Sequence, residues 1–290
     1  MEAINRQTMK DKLLSWRKHP GSLILFLLVM LATLLTFAVL IFLIAYILIR
    51  GIPHITPELF SLTYTSENAS LMPALINTIV MVLLSLLLAV PIGIFAAIYL
   101  VEYAKKGNKL IGLVRVTAET LSGIPSIVYG LFGMLFFVTT MDWGYSMLAG
   151  AFTLAIMILP LIMRTTEEAL MAVPDSFREG SFGLGAGRLR TVFRIVLPSA
   201  IPGILAGVIL AIGRIVGETA ALMYTSGTVA KVPNLMGSGR TLAVHMYVLS
   251  SEGLHVDQAS ATAVILLIIV VGINALSAFV AKTLTKKAGA

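Results

Sequence analysis

Arg214 and Glu218 are opposite charges that lie four residues apart in an apolar stretch of the chain. On a helix, residues at this spacing are neighbours on one face and can form an ion pair. If the stretch crosses a lipid bilayer, each charge costs about 2.5–3.5 kcal/mol on insertion scales, and charges kept there usually serve a function. At about 1.5 Å per residue, Arg214 would lie about 20 Å along the span from its first residue, Ile201. The two residues are therefore candidates for a site within the membrane.

Two interpretations of this pair are open. In the first, Arg214 binds an oxyanion, because a guanidinium presents a rigid fork of donors that matches phosphate oxygens. Glu218 would then partly neutralise Arg214 and keep anion binding weak enough for release. In the second, the pair is structural and fixes the packing of the helix. Gly203 and Gly207 share the helical face of Arg214 and give it a smooth surface. Gly213 and Gly217 form a second small-xxx-small pair beside this face, which predicts a packing edge for a neighbouring helix.

Arg115 and Glu119 repeat the four-residue spacing, near the end of another apolar segment. We interpret them as a snorkelling structural pair at the interface, and keep them with Arg164 as secondary candidates for an anion route. His245 and His255 have no carboxylate or cysteine cluster beside them, so no metal site is predicted. The apolar segments contain no nucleophile–base set, which disfavours an integral-membrane enzyme and leaves no catalytic residue to name.

The composition indicates a membrane protein. Of the 290 residues, 58% are hydrophobic and only 12% are charged, about half of the roughly 25% found in soluble domains. The net charge of +7 could indicate nucleic-acid binding, but basic residues also crowd the cytoplasmic loops of membrane proteins. We favour the second explanation, because no soluble basic domain is present to hold a duplex. The chain has no cysteine, which excludes disulfide and thiolate chemistry.

Six apolar runs are long enough, at about 20 residues each, to cross a bilayer. The predicted fold class is therefore all-α integral membrane, with six transmembrane helices. The first run is too long for a signal peptide and is followed by Arg50 rather than a cleavage site, so we expect it to be retained. Pro91, Pro125 and Pro160 are expected to be kinks that neighbouring helices compensate. The predicted spans are Leu23–Ile49, Pro73–Val101, Leu121–Val138, Tyr145–Met163, Ile201–Met223 and Ala261–Ala281.

Lysine and arginine residues fall almost entirely on one side of these spans, whereas the other side has Arg50, Lys231 and Arg240. The positive-inside rule then places both termini and the segment Arg164–Pro198 in the cytoplasm. The last outer loop contains the apolar run Thr241–Leu249, which is too short to span and is expected to be interfacial or re-entrant.

The segment Arg164–Pro198 is polar and rich in glycine and arginine, although it lies between apolar spans. Its pattern predicts a short helix through Phe177–Phe182, a break at Gly183–Gly187 and a second helix over Leu189–Val196. Apolar residues on one side of the second helix, opposite its arginines, indicate either a docking element for another subunit or an amphipathic helix on anionic lipid. The residues alone leave both interpretations open.

A motif in this segment resembles the EAA loop of type I ATP-binding-cassette (ABC) importer permeases, in which E-A-A is followed by three residues, G, nine residues and I-x-L-P. The matching residues are Glu179, Gly180, Ser181, Gly185, Ile195, Leu197 and Pro198. Gly180 and Ser181 replace the two alanines with other small residues. In that family the loop forms coupling helices that enter a cleft on the ATPase subunit. The resemblance therefore implies docking and the type I (MetI-like) permease architecture.

Further motifs are similar to those of phosphate-specific transport permeases, and most of all to permeases of the PstA type. These motifs are Glu119–Gly130, Arg164–Glu167, Arg214–Ala220 and Leu242–Tyr247. The resemblance covers about Leu71 to Ala281. It implies four kinds of partner: the lipid bilayer, a distinct sister permease, two ATP-binding subunits, and a phosphate-binding protein on the periplasmic or extracytoplasmic side.

We expect a single transmembrane domain over residues 1–290, comprising a cytoplasmic N-terminus (1–22), an extra first span (23–49) and a five-helix permease core (71–281) with the cytoplasmic coupling segment 164–198. The chain contains no G-x-x-x-x-G-K-[ST] phosphate loop to hold ATP. We therefore expect no enzymatic activity, no cofactor and no metal on this chain, with ATP and Mg on the partner subunits.

The preferred interpretation is a permease subunit of an ABC importer that moves inorganic phosphate through a bacterial cytoplasmic membrane. The coupling segment would receive ATP-driven motion and pass it through Pro198, at the start of the fifth span, to Arg214 as one continuous rigid element. Two alternatives remain open. One is a permease of the same family for another oxyanion or small solute, and the other is an ion-coupled secondary transporter or channel.

Overall fold

A computed structural model of the protein describes residues 20–105, 107–253 and 255–287. The predicted cytoplasmic N-terminus, residues 1–22, therefore falls almost wholly outside the described residues. Every regular element within the described ranges is helical, which confirms the all-α prediction. The chain divides into two compact units, residues 1–50 and 51–290.

Helix α1, Pro20–Gly51, supplies the described part of the first unit. Its most apolar window has a mean hydropathy of 3.0, and none of that window is buried within the chain. A helix of about 20 residues spans about 30 Å, so α1 is long enough to cross a bilayer. It corresponds to the predicted span Leu23–Ile49.

The second unit contains the remaining helices. These are α2 (Met72–Ile98), α3 (Lys109–Ser122), α4 (Ser126–Gly133), α5 (Met147–Met171), α6 (Asp175–Gly183), α7 (Arg188–Thr191), α8 (Leu197–Val216), α9 (Ala220–Met223), α10 (Leu242–Glu252) and α11 (Val256–Lys287). Short 3-10 turns precede α2 at Ile52–His54 and Pro57–Phe60. Turns of π-helix extend α2 over Tyr99–Tyr103, extend α4 over Met134–Thr140, and join α7 to α8 over Val192–Val196.

Helix α5 is the centre of the second unit. In its most apolar window 67% of the residues are buried, and it packs against α2 and α8. On α8, Gly203 and Gly207 leave no room for a β-carbon against Ala169 and Thr165 of α5. Only glycine lets the two backbones approach this closely. The packing edge was predicted at Gly213 and Gly217 instead, and that prediction is wrong for the described residues. A β-carbon added at Gly213 would meet no atom within 4 Å, and one added at Gly217 would meet only a carbonyl oxygen of its own helix.

The predicted third span, Leu121–Val138, is wrong as a single helix. Its residues belong to two helices, α3 and α4, which are bent by 100° relative to each other. Pro125 directly precedes α4, and a proline disfavours the helical conformation of the residue before it. The helix therefore stops here instead of kinking, and six spans are present only if the bent pair counts as one. Pro91 and Pro160 do lie inside continuous helices, as predicted.

The predicted fifth span, Ile201–Met223, differs at both ends. Helical structure begins earlier, at Arg188, and continues through α7, the π-helical turn and α8 to Val216. Gly217 ends this run before α9 begins. Pro198 is therefore inside the run rather than at its start. The carbonyl that its ring crowds, four residues earlier, belongs to the π-helical turn, where the regular α-helical hydrogen bonds are already replaced.

The segment Arg164–Pro198 is helical for most of its length. Its first part, to Met171, belongs to α5, so the expected loop begins later than predicted. Beyond it, α6 and α7 confirm the predicted helix–break–helix pattern. Gly185 in the break has a φ of +81°, a left-handed backbone conformation that glycine adopts without steric cost.

Candidate functional site

A cavity of about 520 Å³ brings charged side chains from three helices together. They are Arg115 and Glu119 from α3, Arg164, Glu167 and Glu168 from α5, and Arg214 from α8. Four of these residues were candidates from the sequence. Glu167 and Glu168 were not candidates for the site, although Glu167 ends one of the phosphate-permease motifs. Glu168 lies four residues after Arg164 and could have been recognised as its helical partner.

Arg214 lies in the last turn of α8, on the face that carries Gly203 and Gly207. Because both glycines pack directly on α5, this face and its arginine are turned towards the α5 side of the cavity. Arg115 and Arg164 each have a glutamate partner. Arg214 forms no ion pair or hydrogen bond with any residue that the structure describes. Its donors are therefore available to a ligand.

The predicted ion pair between Arg214 and Glu218 does not form. Helix α8 ends at Val216, so the two residues are not on one helix. The Glu218 side chain is buried, and its carboxylate accepts a hydrogen bond of 3.0 Å from the backbone N–H of Ala221. It thereby satisfies one of the free amides at the start of α9. Glu218 caps a helix and does not line the cavity.

Arg115 and Glu119 do not pair with each other as predicted, because each faces α5. The Nη2 atom of Arg115 lies 2.5 Å from Oε1 of Glu167, whose side chain is 9% exposed. Arg164 lies 4.0 Å from Glu119 and 3.1 Å from Glu168. Both ion pairs of Arg164 join exposed side chains, and such pairs contribute about 0–1 kcal/mol to the stability of a folded protein. The pair with the buried Glu167 is therefore the stronger link between α3 and α5.

The cavity is suited to binding an anion weakly. Its three arginines and three glutamates balance in formal charge, so an anion would not be held by a large positive excess. Arg214 still offers a planar fork of donors, which matches the oxygens of a tetrahedral oxyanion. Across the described ranges, no group of three His, Cys, Asp or Glu side chains is placed to hold a metal ion.

The residues expected to couple this chain to an ATPase lie on and around α6. Glu179 and Gly180 are exposed, whereas Ser181 is buried and its hydroxyl lies 2.8 Å from that of Thr191. A small residue at position 181 therefore lets α6 and α7 meet. The other matched residues lie in the break and on the long helical run: Gly185, Ile195, Leu197 and Pro198.

The role of Arg178 was missed in the sequence, where it counted only as a basic residue. Its guanidinium contacts Glu102, in the π-helical turn after α2, and donates to the carbonyls of Leu170 and Val173. The two charged side chains are only 14% and 8% exposed. The position of Glu102 directly after a long apolar run could have indicated that this carboxylate needs a partner. Nothing in the sequence, however, identifies Arg178, 76 residues away, as that partner.

The apolar run Thr241–Leu249, which was predicted to lie in the last outer loop, supplies most of α10. His245 on this helix is fully buried and packs edge-on against the ring of Tyr64. Burial, and secondarily the charge of Arg240, lower the pKa of His245 to about 3. The ring is therefore neutral at physiological pH, and it lies outside the arginine cavity.

Comparison with known proteins places these features in a family. Residues 89–289 match the family described as binding-protein-dependent transport system inner membrane component. The chain is 35% identical over 237 residues to the probable ABC transporter permease protein YqgI of Bacillus subtilis. This alignment covers 76% of this chain and 80% of that protein.

Two relatives are named as phosphate transport proteins. The chain is 41% identical over 179 residues to the phosphate transport system permease protein PstA of Pasteurella multocida, covering 61% of this chain and 63% of that protein. It is 40% identical over 154 residues to PstA 1 of Mycobacterium tuberculosis, covering 53% and 50%. The alignments thus span between half and two-thirds of the length of these two relatives.

Two solved structures show the same fold. One is a bacterial alginate ABC transporter in complex with an alginate-bound periplasmic protein, with a TM-score of 0.65, 18% identity, and coverage of 92% of this chain and 98% of that chain. The other is the MetNI methionine ABC transporter, with a TM-score of 0.56, 19% identity, and coverage of 83% and 97%. Together with the family match over most of the sequence, these findings show that this multi-pass membrane protein belongs to the binding-protein-dependent transport system inner membrane component family, the permeases of ABC importers.

Proposed function

We propose that this chain is a permease subunit of an ATP-driven importer that moves inorganic phosphate across the bacterial cytoplasmic membrane. The observation that carries the proposal is Arg214, an arginine in a charge-balanced cavity that has no carboxylate partner in the described structure. A guanidinium in this state offers paired donors to a phosphate oxyanion. Similarity to two proteins named as phosphate transport system permeases supports phosphate as the anion.

Transport in this proposal depends on partners: a distinct sister permease, two ATP-binding subunits and a soluble phosphate-binding protein. The surface of α6 and the break after it support ATPase docking, because apolar side chains are exposed there beside Glu179. Phe177 is 49% exposed, Phe182 is 45% exposed and Leu184 is 91% exposed. ATP and Mg would be bound by the ATP-binding subunits, and this chain would hydrolyse nothing.

The anion would meet Arg214 first and then Arg115 and Arg164, the paired arginines of the cavity. Weak binding is an advantage on such a route, because a site that holds its ligand tightly does not release it. The glutamates around Arg164 and Arg115 serve this purpose by limiting the positive charge that the anion encounters. Arg164, Arg115 and Glu119 are therefore part of the proposed route. Glu218, predicted from the sequence to act with Arg214, is left out of the proposal because it does not line the cavity.

The test is phosphate uptake by the complete transporter, co-expressed with its partners and reconstituted in vesicles. Arg214→Ala is expected to abolish ATP-driven uptake while the complex still assembles. Lys109→Ala, which removes an exposed charge outside the cavity, is the control and should transport normally. Normal uptake by Arg214→Ala would overturn the role of this arginine.

Competition by other oxyanions tests the substrate. Phosphate should displace labelled phosphate at lower concentration than sulfate or molybdate does, and the reverse order would favour a permease for another oxyanion. Uptake that continues without ATP and without the ATP-binding subunits would instead favour an ion-coupled secondary transporter.

A further inference from the structure

A cluster of buried polar side chains lies outside the arginine cavity, at the start of helix α10. It consists of Arg240, Thr241 and His245, with the ring of Tyr64 packed against Arg240 and His245. Arg240, Thr241 and His245 are 4%, 1% and 0% exposed. Burial of a polar group costs free energy unless a hydrogen-bond partner compensates for it. The cluster therefore needs an explanation that packing alone does not supply.

The donors of this cluster have no acceptor within the described residues. The Nε and Nη2 atoms of Arg240 are buried and form no hydrogen bond, and the same is true of the Thr241 hydroxyl and of both ring nitrogens of His245. Thr241 is the N-cap residue of α10, yet its side chain caps nothing. The backbone of Ala69 acts on the His245 ring electrostatically but lies outside hydrogen-bond geometry. Several unused donors are thus brought together in one buried place.

The guanidinium of Arg240 also has no counter-ion in the part of the chain that the structure describes. It lies 4.6 Å from the centre of the Tyr64 ring, and a cation over an aromatic ring keeps its charge and the donors at its edge. Glu67, three residues after Tyr64, is exposed and forms no ion pair with Arg240. The ring of His245 is neutral at physiological pH. The cluster therefore carries one net positive charge.

Helix α2 holds the backbone of this cluster in place. The side chain of Asn77 donates to the carbonyls of Lys231 and Arg240, at 2.8 and 3.0 Å. The hydroxyl of Thr78 accepts a hydrogen bond of 2.8 Å from the N–H of Leu242. The peptides on both sides of Arg240 and Thr241 are therefore fixed by one rigid helix. Support of this kind is what a preorganised binding site requires.

We propose that Arg240, Thr241 and His245 form a binding site for a small monovalent inorganic anion at the start of α10. One negative charge matches the net charge of the cluster, so binding leaves no buried charge uncompensated. A halide and dihydrogen phosphate both meet this requirement, and both accept hydrogen bonds from several donors at once. The start of a helix favours an anion further, because its first amides carry partial positive charge. The site is independent of the proposed function, since none of its residues lines the cavity of Arg214.

The test is thermal unfolding of the purified complete transporter in sodium chloride and in sodium gluconate of equal ionic strength, since gluconate is too large for a buried site. Chloride should raise the unfolding temperature of the wild type in a saturable manner, by about 2 °C or more. Arg240→Gln should remove this dependence. In gluconate this variant should be at least as stable as the wild type, because it lacks the uncompensated charge. Lys231→Gln removes an exposed charge from the same segment and, as the matched control, should respond to chloride as the wild type does.

A second variant and a second measurement keep the test independent of the assembly of Arg240→Gln. Thr241→Val preserves the shape of the side chain and removes its hydroxyl, so it should weaken the affinity for chloride about fivefold, as expected for the loss of one hydrogen bond. In the wild type, chloride should slow the amide hydrogen exchange of α10 and leave that of α6 unchanged. Equal stability and equal exchange in chloride and gluconate would overturn the anion site.

The remaining outcomes separate the occupants of the site. An equal loss of stability of Arg240→Gln in both salts would assign the guanidinium to its contact with Tyr64 alone, and would also overturn the proposal. Sodium phosphate added to the gluconate buffer identifies the anion: stabilisation that Arg240→Gln removes assigns phosphate to the site, and its absence leaves chloride as the occupant. Arg214→Ala should leave the chloride effect unchanged, which distinguishes a failure of this site from a failure of the proposed function.

Discussion

The guanidinium of Arg178 binds a single carboxylate oxygen of Glu102, at 2.8 Å through Nη2 and 3.1 Å through Nε. The same side chain donates to the backbone carbonyls of Leu170 and Val173 at the end of α5. Arg178 precedes Glu179 of the coupling motif directly. Helix α6 is therefore bound both to the end of α2 and to the end of α5, so we expect a displacement of α6 to be transmitted to both helices.

Removal of this link should destabilise the protein. Glu102→Gln removes the buried counter-ion of the Arg178 guanidinium and leaves only the exposed Asp175; breaking a buried pair in this way costs about 3–5 kcal/mol. We expect a lower unfolding temperature of the purified transporter and reduced stimulation of its ATPase by substrate. Asp175→Asn is the matched control, because Asp175 contacts the same arginine at 3.1 Å with an 86% exposed side chain. If both variants lowered the unfolding temperature equally, burial of the Arg178–Glu102 pair would not explain its contribution to stability.

Glu218 should act through its hydrogen bond rather than its charge. Glu218→Gln keeps an acceptor for the N–H of Ala221 and is expected to retain the phosphate KM of the wild type in an uptake assay. Glu218→Ala removes the cap, which costs about 0.5–2 kcal/mol, and should lower the unfolding temperature. A large change in KM for Glu218→Gln would show that its charge reaches Arg214, which the structure does not indicate.

The contact between α8 and α5 should tolerate no added methyl group at position 207. In Gly207→Ala the new β-carbon would collide with the side chain of Thr165, and overpacking of this kind costs about 1–3 kcal/mol. Thr165→Ala in the same chain should restore part of the lost stability. Gly213→Ala is the control on the same helix, since a β-carbon added there would meet no atom of another element within 4 Å. Thermal unfolding of these variants beside the wild type measures the difference.

His245 should make stability depend on pH on the acidic side. Its pKa is about 3 in the folded chain and about 6.5 in an unfolded one, so the unfolded state binds the extra proton between these values. Stability contributed by the neutral ring is complete above about pH 6.5 and falls by about 1.4 kcal/mol for each pH unit below it, until about pH 3. His245→Gln should flatten this slope in unfolding experiments between pH 4 and 7. An identical slope in both proteins would show that other groups cause it.

Much of the fold was predictable because its signals are local. The apolar runs and the break around Gly185 depend on residues close in sequence, and the structure follows them. The bend between α3 and α4 was not predicted, because Pro125 in an apolar run fits a kinked span as well as a helix boundary. The early end of α8 was missed for a similar reason. A glycine such as Gly217 in a helical pattern can lie within the helix or can end it.

The sequence identified most of the charged residues of the site, but it did not predict which of them form ion pairs. The spacing of Arg214 and Glu218, and of Arg115 and Glu119, predicted two ion pairs within helices, and neither forms. The pairs that form join different helices, as Arg115 does with Glu167. Spacing of four residues identifies neighbours only while the helix continues and only when no other helix offers a better partner. Whether another helix offers a better partner depends on tertiary packing, which cannot be read from a single sequence.

The uninterrupted helical run from Arg188 to Val216 has a mechanical consequence. Arg214 is about 24 Å from Pro198 along the axis, at about 1.5 Å per residue. If the run tilts as one body about the π-helical turn and the proline, that turn is the pivot of a lever that ends at Arg214. A tilt of about 5° at that pivot displaces the guanidinium by about 2 Å, which is enough to break a hydrogen bond of ordinary length. In the proposed function, a small rotation at the Pro198 end would thus suffice to make or break the contact between Arg214 and the anion.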